Sequence, residues 1–153
     1  MKFDEFLISL GLDRHLDIAE AAQTGSCAIQ FDQQLTVNIE NDSDKGIAQT
    51  YCIVSNATAT HRDAFFAMLL QAHMFGAATD GCMFGFEPKQ DQVILFKTIP
   101  LAELDGPQAI AQLESFVNQA SRWSAYLPHL LDEWDQKVSQ AAVNVMQTLA
   151  AHG

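Results

Sequence analysis

Basic residues are scarce in this sequence and never cluster. Eight Lys and Arg stand against nineteen Asp and Glu in 153 residues, a formal net charge of −11. Lys2, Arg14, Lys45, Arg62, Lys89, Lys97, Arg122 and Lys137 are each isolated. No basic stripe is present to neutralise phosphates, which argues against nucleic-acid binding. An anionic membrane surface repels such a chain for the same reason. Cysteine is sparse too: Cys27, Cys52 and Cys82 are odd in number and lack CxxC spacing, so they read as reduced, buried thiols in strands. No apolar run reaches the roughly 20 residues of a membrane-spanning helix. Met1-Lys2-Phe3-Asp4-Glu5 turns acidic where a secretory signal would become apolar. A cytosolic protein is expected.

Catalytic and metal-binding signatures are missing as well. The five histidines, His15, His61, His73, His129 and His152, form no HExxH, and none makes an HxH with a nearby carboxylate. His61 and His73 are twelve residues apart on one expected helix, too far along it to share a metal. Asp13 and Asp17 follow Gly11 and read as solvated. There is no GxSxG, P-loop or GxGxxG, and Gly76, Gly81 and Gly85 read as turn glycines. Asn41-Asp42-Ser43 and Asn56-Ala57-Thr58 match the glycosylation sequon, but turn chemistry explains them. No catalytic residue, cofactor or metal is therefore expected.

What is present is patterning. Apolar residues make up 48% of the chain, enough for one domain with a core that needs no disulfide. Phe3, Phe6, Leu7 and Leu10 recur at helical spacing, so the pattern predicts a helix over 3–11, ended or bent by Gly11, with Ile8 and Leu12 on its opposite side. Residues 13–25 are mixed, with Leu16 and Ile18 as anchors and Thr24-Gly25-Ser26 as a turn. Cys27, Ile29 and Phe31, then Leu35, Val37 and Ile39, alternate with polar or small neighbours around Asp32-Gln33-Gln34, a hairpin signal. After the polar loop 41–46, residues 47–54 form a third strand. A helix over 61–75, which Thr58, Ala59 and Thr60 can cap, is apolar almost all round. Ala64, Phe65, Met68, Ala72 and Phe75 make one face, and Phe66, Leu69, Leu70 and His73 another. Two apolar faces imply burial on two sides, the second most simply by another subunit.

The strand 82–86 and the turn 87–91 lead to a strand at 92–99. Val93, Leu95 and Ile99 lie on one face of it, Ile94 and Phe96 on the other. Asp105, Pro107 and Gln108 start a last main helix with a seam of Ile110, Leu113, Val117 and Ala120, flanked by Phe116 and Trp123. Pro128 should break or kink that helix, leaving 130–150 as a weaker one. The expected fold is α+β: an antiparallel twisted sheet of about five strands with helices, in the order α-β-β-β-α-β-β-α, divided into a domain over 1–127 and a helical tail over 128–153.

Five stretches in this order resemble the Tir chaperone family, the class I chaperones of type III secretion: Phe6–Leu12, Cys27–Glu40, Leu69–Phe75, Ile99–Asp105 and Phe116–Trp123. Leu69-Leu70-Gln71-Ala72-His73 is similar to the family's LLxAN run, with His73 in place of Asn. Pro100-Leu101-Ala102-Glu103-Leu104-Asp105 is similar to its PLxxLD step. The resemblance covers residues 1–127. It implies a bacterial cytoplasmic homodimer without catalysis or cofactor, which binds the N-terminal segment of a secreted effector and keeps it secretion-competent, with the secretion ATPase as a further partner. Two other readings stay open: a regulatory adaptor on the same fold, and a small-molecule-binding or enzymatic α+β domain. For effector binding, the apolar residues that the fold does not need are Ile8 and Leu12, with Ile94 and Phe96, or else Val93 and Leu95. For the dimer interface, the choice is Phe65, Met68, Ala72 and Phe75, where small residues allow close approach.

Overall fold

A computed structural model describes residues 1–10, 17–57 and 60–152. Gly11, Leu12, Asp13, His15, Leu16, Thr58 and Ala59, invoked above, lie outside the described residues. Helix α1 (Phe3–Ser9) buries Phe3, Phe6 and Leu7, the stripe its spacing predicts, and leaves Ile8 outward. A short helix that patterning misses follows, α2 (Ile18–Thr24). The carboxylate of Asp17 accepts the Glu20 N–H at 2.9 Å to start it, and Gly25 ends it at φ 72°.

Five strands then form one antiparallel sheet in the order β1-β2-β3-β5-β4: β1 (Ser26–Phe31), β2 (Leu35–Asp42), β3 (Ile47–Asn56), β4 (Met83–Glu87) and β5 (Gln92–Ile99). The β1–β2 hairpin pairs Phe31 with Leu35 around Asp32, which takes a left-handed φ of 55°. Its register puts Ile29 opposite Val37, so the alternating apolar residues share one face. Cys52 of β3 and Leu95 of β5 extend that face across the sheet.

Between β3 and β4 runs α3 (Arg62–His73), followed by a tight turn over Met74–Gly76. Gly76 has φ 70°, and a Cβ there would stand 2.8 Å from the Gly81 nitrogen. Only glycine closes this loop. Helix α4 (Gly106–Ala151) opens with the expected capping box, Asp105 accepting the Gln108 N–H at 2.9 Å and Gln108 accepting the Asp105 N–H at 3.0 Å.

The core lies between the inner sheet face and α4. Ala109, Leu113, Phe116, Ala120, Trp123 and Leu127 are buried against it. Burying each large side chain contributes about 1.5–3 kcal/mol. The buried seam differs from the expected one: Ile110 and Val117 are only half-buried, because α4 is rotated to centre Phe116 and Trp123 on the sheet.

At Pro128, of the break or kink expected there, the structure excludes the break: the helix continues as one element of 46 residues. A proline removes one N–H and crowds the carbonyl four residues back. Ser124, whose carbonyl loses that donor, borders together with Pro128 an open groove of about 590 Å³, where water can supply the missing partner.

Candidate functional site

The sheet has one covered face and one bare one. On the bare face, cross-strand pairing builds two rows: Ile53–Ile94–Gly85 and Tyr51–Phe96–Met83. Ile53 and Met83 are exposed, while Tyr51, Ile94 and Phe96 are half-buried. The Phe96 ring lies 3.4 Å from where a Gly85 Cβ would stand, so the missing side chain lets the aromatic lie flat on β4. Toward β1 and β2 the same face turns polar, with Gln30, Thr36, Asn38 and Glu40 in place of apolar residues. At that border the Tyr51 hydroxyl donates to Glu40 Oε1 at 2.6 Å. The carboxylate bond, with partial burial, pushes the phenol up to about 12.

A groove of about 440 Å³ opens on the helical side, between α1, the end of β1 and α4. Leu10, Phe31, Ile110 and Val117 line it with half-buried apolar side chains. That groove explains why α4 does not bury Ile110 and Val117. Ile8, 60% exposed, stands on α1 nearby in sequence to Leu10. Among the described residues, no strand pairs with the outer edge of β1.

A third apolar surface is the knuckle where α3 ends. Leu70 and Met74, one turn apart, are exposed. Phe75 is 98% exposed and holds a left-handed φ of 57°. For a bulky residue that backbone is strained, and full exposure forgoes what a buried ring contributes.

The six residues expected to bind a client divide between faces. Val93 and Leu95 are wholly inside the core, Ile94 and Phe96 are on the bare face, Ile8 is exposed, and Leu12 lies outside the described residues. The four expected at a dimer interface do not share one surface. Phe65 is sealed in the chain's own core, Met68 and Ala72 are half-buried beside it, and Phe75 lies past the helix end. The buried line is Phe65 and Leu69, at i and i+4, which straddles the two faces that patterning separates. Ile53, Met83 and Met74 were not singled out from the sequence. Ile53 was findable, since it falls on the opposite parity of β3 from Cys52 and Val54.

Burial raises the Cys27 thiol, and it pushes Cys52 to about 12 and Cys82 to about 11, away from the reactive thiolate. No metal-holding group of three His, Cys, Asp or Glu exists among the described residues. No helix among them is long and apolar enough to cross a membrane.

A five-stranded antiparallel sheet with one helix-covered face and exposed apolar patches elsewhere defines an α+β domain with free apolar surface. The chain belongs to the Tir chaperone protein (CesT) family, whose pattern it matches over residues 5–124. No curated protein matches the sequence. Its fold is similar to that in the ExsC–ExsE complex, with 19% identity over 83% of this chain and 97% of that one and a TM-score of 0.59. It is also similar to a chain of the heterodimeric ExoU–SpcU complex from the type III secretion system of Pseudomonas aeruginosa, at 12% identity, 82% and 94% coverage and a TM-score of 0.58. The HopA1–SchA chaperone–effector complex gives 13% identity, 78% and 97% coverage and a TM-score of 0.53.

Proposed function

We infer that this chain is a type III secretion chaperone. It binds the N-terminal segment of a secreted effector in the bacterial cytoplasm and keeps it secretion-competent, without catalysis. The observation that carries this reading is the family match over 5–124, in a fold whose bare sheet face and α1–α4 groove expose apolar side chains that its own core does not use. An extended segment adds to the free edge of β1 by main-chain hydrogen bonds. Its apolar residues then enter the groove at Leu10 and Phe31 and cover Ile94 and Phe96. The large wrapped area offsets the entropy of ordering an unfolded client. The working unit is a homodimer, with Leu70, Met74 and Phe75 facing the partner and Met68 and Ala72 at the margin. The net charge of −11 keeps the loaded complex soluble and suits a basic client segment.

The test is co-expression of this chain with the N-terminal segments of effectors from the same secretion system. A stable, soluble complex with one of them is expected, with binding lost in the double variant Ile94→Asp/Phe96→Asp. Failure of every segment to bind a correctly folded chain would refute the reading.

A further inference from the structure

Past Trp134 the helix α4 leaves the body of the protein. Trp134 meets His61 edge-on at 5.8 Å, and Asp135 accepts from the Thr60 hydroxyl at 3.0 Å. From Asp135 to Ala151 every residue is exposed. The family match ends at residue 124, so nothing about this segment follows from family membership.

Two properties of the segment stand out. At 3.6 residues per turn, Val138, Val145 and Leu149 continue the line of Leu127, Leu131 and Trp134, with Ala141 and Ala142 between them. Val145 is 58% exposed and Leu149 68%. From Val138 to Ala151 there is also no Asp, Glu, Lys or Arg, in a chain whose net charge is −11.

We propose that this uncharged helical end is a self-pairing element, through which two copies of the chain associate antiparallel. Copies of so acidic a protein repel one another over most of their surface. Here they can touch without bringing like charges together, and the alanines allow a close helix approach. Charge also selects the direction. Asp132, Glu133 and Asp135 lie at or behind the contact with Thr60, and Lys137 is the last charged residue before the free segment. Antiparallel pairing sets Lys137 of one copy beside the negative C-terminal end of the other helix, near Ala151. Parallel pairing would juxtapose both lysines and both helix ends. With Lys137 opposite Ala151, the two-fold axis passes beside Asn144 and Val145. The contact is isologous, so it joins two copies of the chain, each presenting the same segment to the other.

The experiment is light scattering on the full chain without any effector, comparing wild type with Val145→Asp/Leu149→Asp. The wild type should have at least twice the mass of the variant, with helicity and melting unchanged. Equal masses would overturn the proposal. Direction is read in a Cys27→Ser background: Val145→Cys, beside the axis, should oxidise to a cross-linked pair, and Val138→Cys, on the same face but two turns from the axis, should not, whereas a parallel pair would cross-link both. Equal cross-linking at both positions would overturn the antiparallel arrangement. If the Asp variant keeps its mass but releases a bound effector, the segment serves the client instead and self-pairing is wrong. Because the mass is measured on the chain alone, the result is separate from whether the chain is a secretion chaperone.

Discussion

The imidazole of His73 accepts the backbone N–H of Phe84, with Nδ1 2.8 Å from the nitrogen and the two rings stacked at 5.9 Å. Phe84 sits opposite Leu95 on β4, an edge strand of the sheet. An N–H bonded to a side chain of α3 points away from β5, so the end of α3 closes part of that edge. On the other edge the Thr24 hydroxyl of α2 donates to the Ser26 carbonyl at 3.2 Å, at the very start of β1, and the remaining stretch 27–31 is where client pairing is proposed.

Removing the acceptor leaves a part-buried N–H without a partner. His73→Leu should cost about 1–3 kcal/mol of stability. His73→Asn should cost less, since an amide oxygen can accept the same N–H. Urea titrations of the three proteins check this. Equal loss in both variants would mean that ring stacking, not the hydrogen bond, is what matters.

Leu70 and Phe75 should hold the dimer and not the fold. Leu70→Glu changes an exposed side chain, so it should alter monomer stability by less than about 1 kcal/mol. It should halve the mass of the tail-disabled protein, Val145→Asp/Leu149→Asp, by light scattering. An unchanged mass would place the dimer interface elsewhere.

Opposite parity on β5 should separate folding from binding. Leu95→Ala opens a cavity in the core and should cost about 2–5 kcal/mol. Ile94→Asp, on the bare face, should cost far less stability yet weaken the effector complex tenfold or more, because a carboxylate would be desolvated there. Ile8→Asp should behave like Ile94→Asp. Full affinity in Ile8→Asp would remove α1 from the client surface.

Stability should fall in alkali. Tyr51 is pushed up to about 12 by its bond to Glu40, and Cys52 and Cys82 to about 12 and 11 by burial. Groups with a raised folded pKa hold their protons longer in the native state. Their contribution is complete below the unfolded values, about 9 for the thiols and 10 for the phenol, and is lost as pH rises through the folded ones. Urea midpoints should therefore drop progressively above about pH 9, and Tyr51→Phe should remove part of the slope above pH 10. A flat profile for the wild type to pH 11 would contradict these environments.

The sequence alone determined the element types, because local periodicity is written in it. Residues 27–31, 35–39 and 92–99 alternate at period two, and Phe3, Phe6 and Leu7 repeat at helical spacing. Asp105 and Gln108 form the capping box that their spacing specifies. Family resemblance was legible for the same reason, since its motifs are ordered core patterns. Only the tertiary structure decided what depends on packing between distant residues. It chose which face of β5 is buried, since both are apolar and α4 can cover just one. It put Phe65 and Leu69 of α3 inside and left Leu70 out, because on a helix apolar all round only the docking angle makes that choice. It carried α4 through Pro128, where an open groove lets water meet the freed carbonyl. It also formed α2 from residues without clear periodicity, through the caps at Asp17 and Gly25.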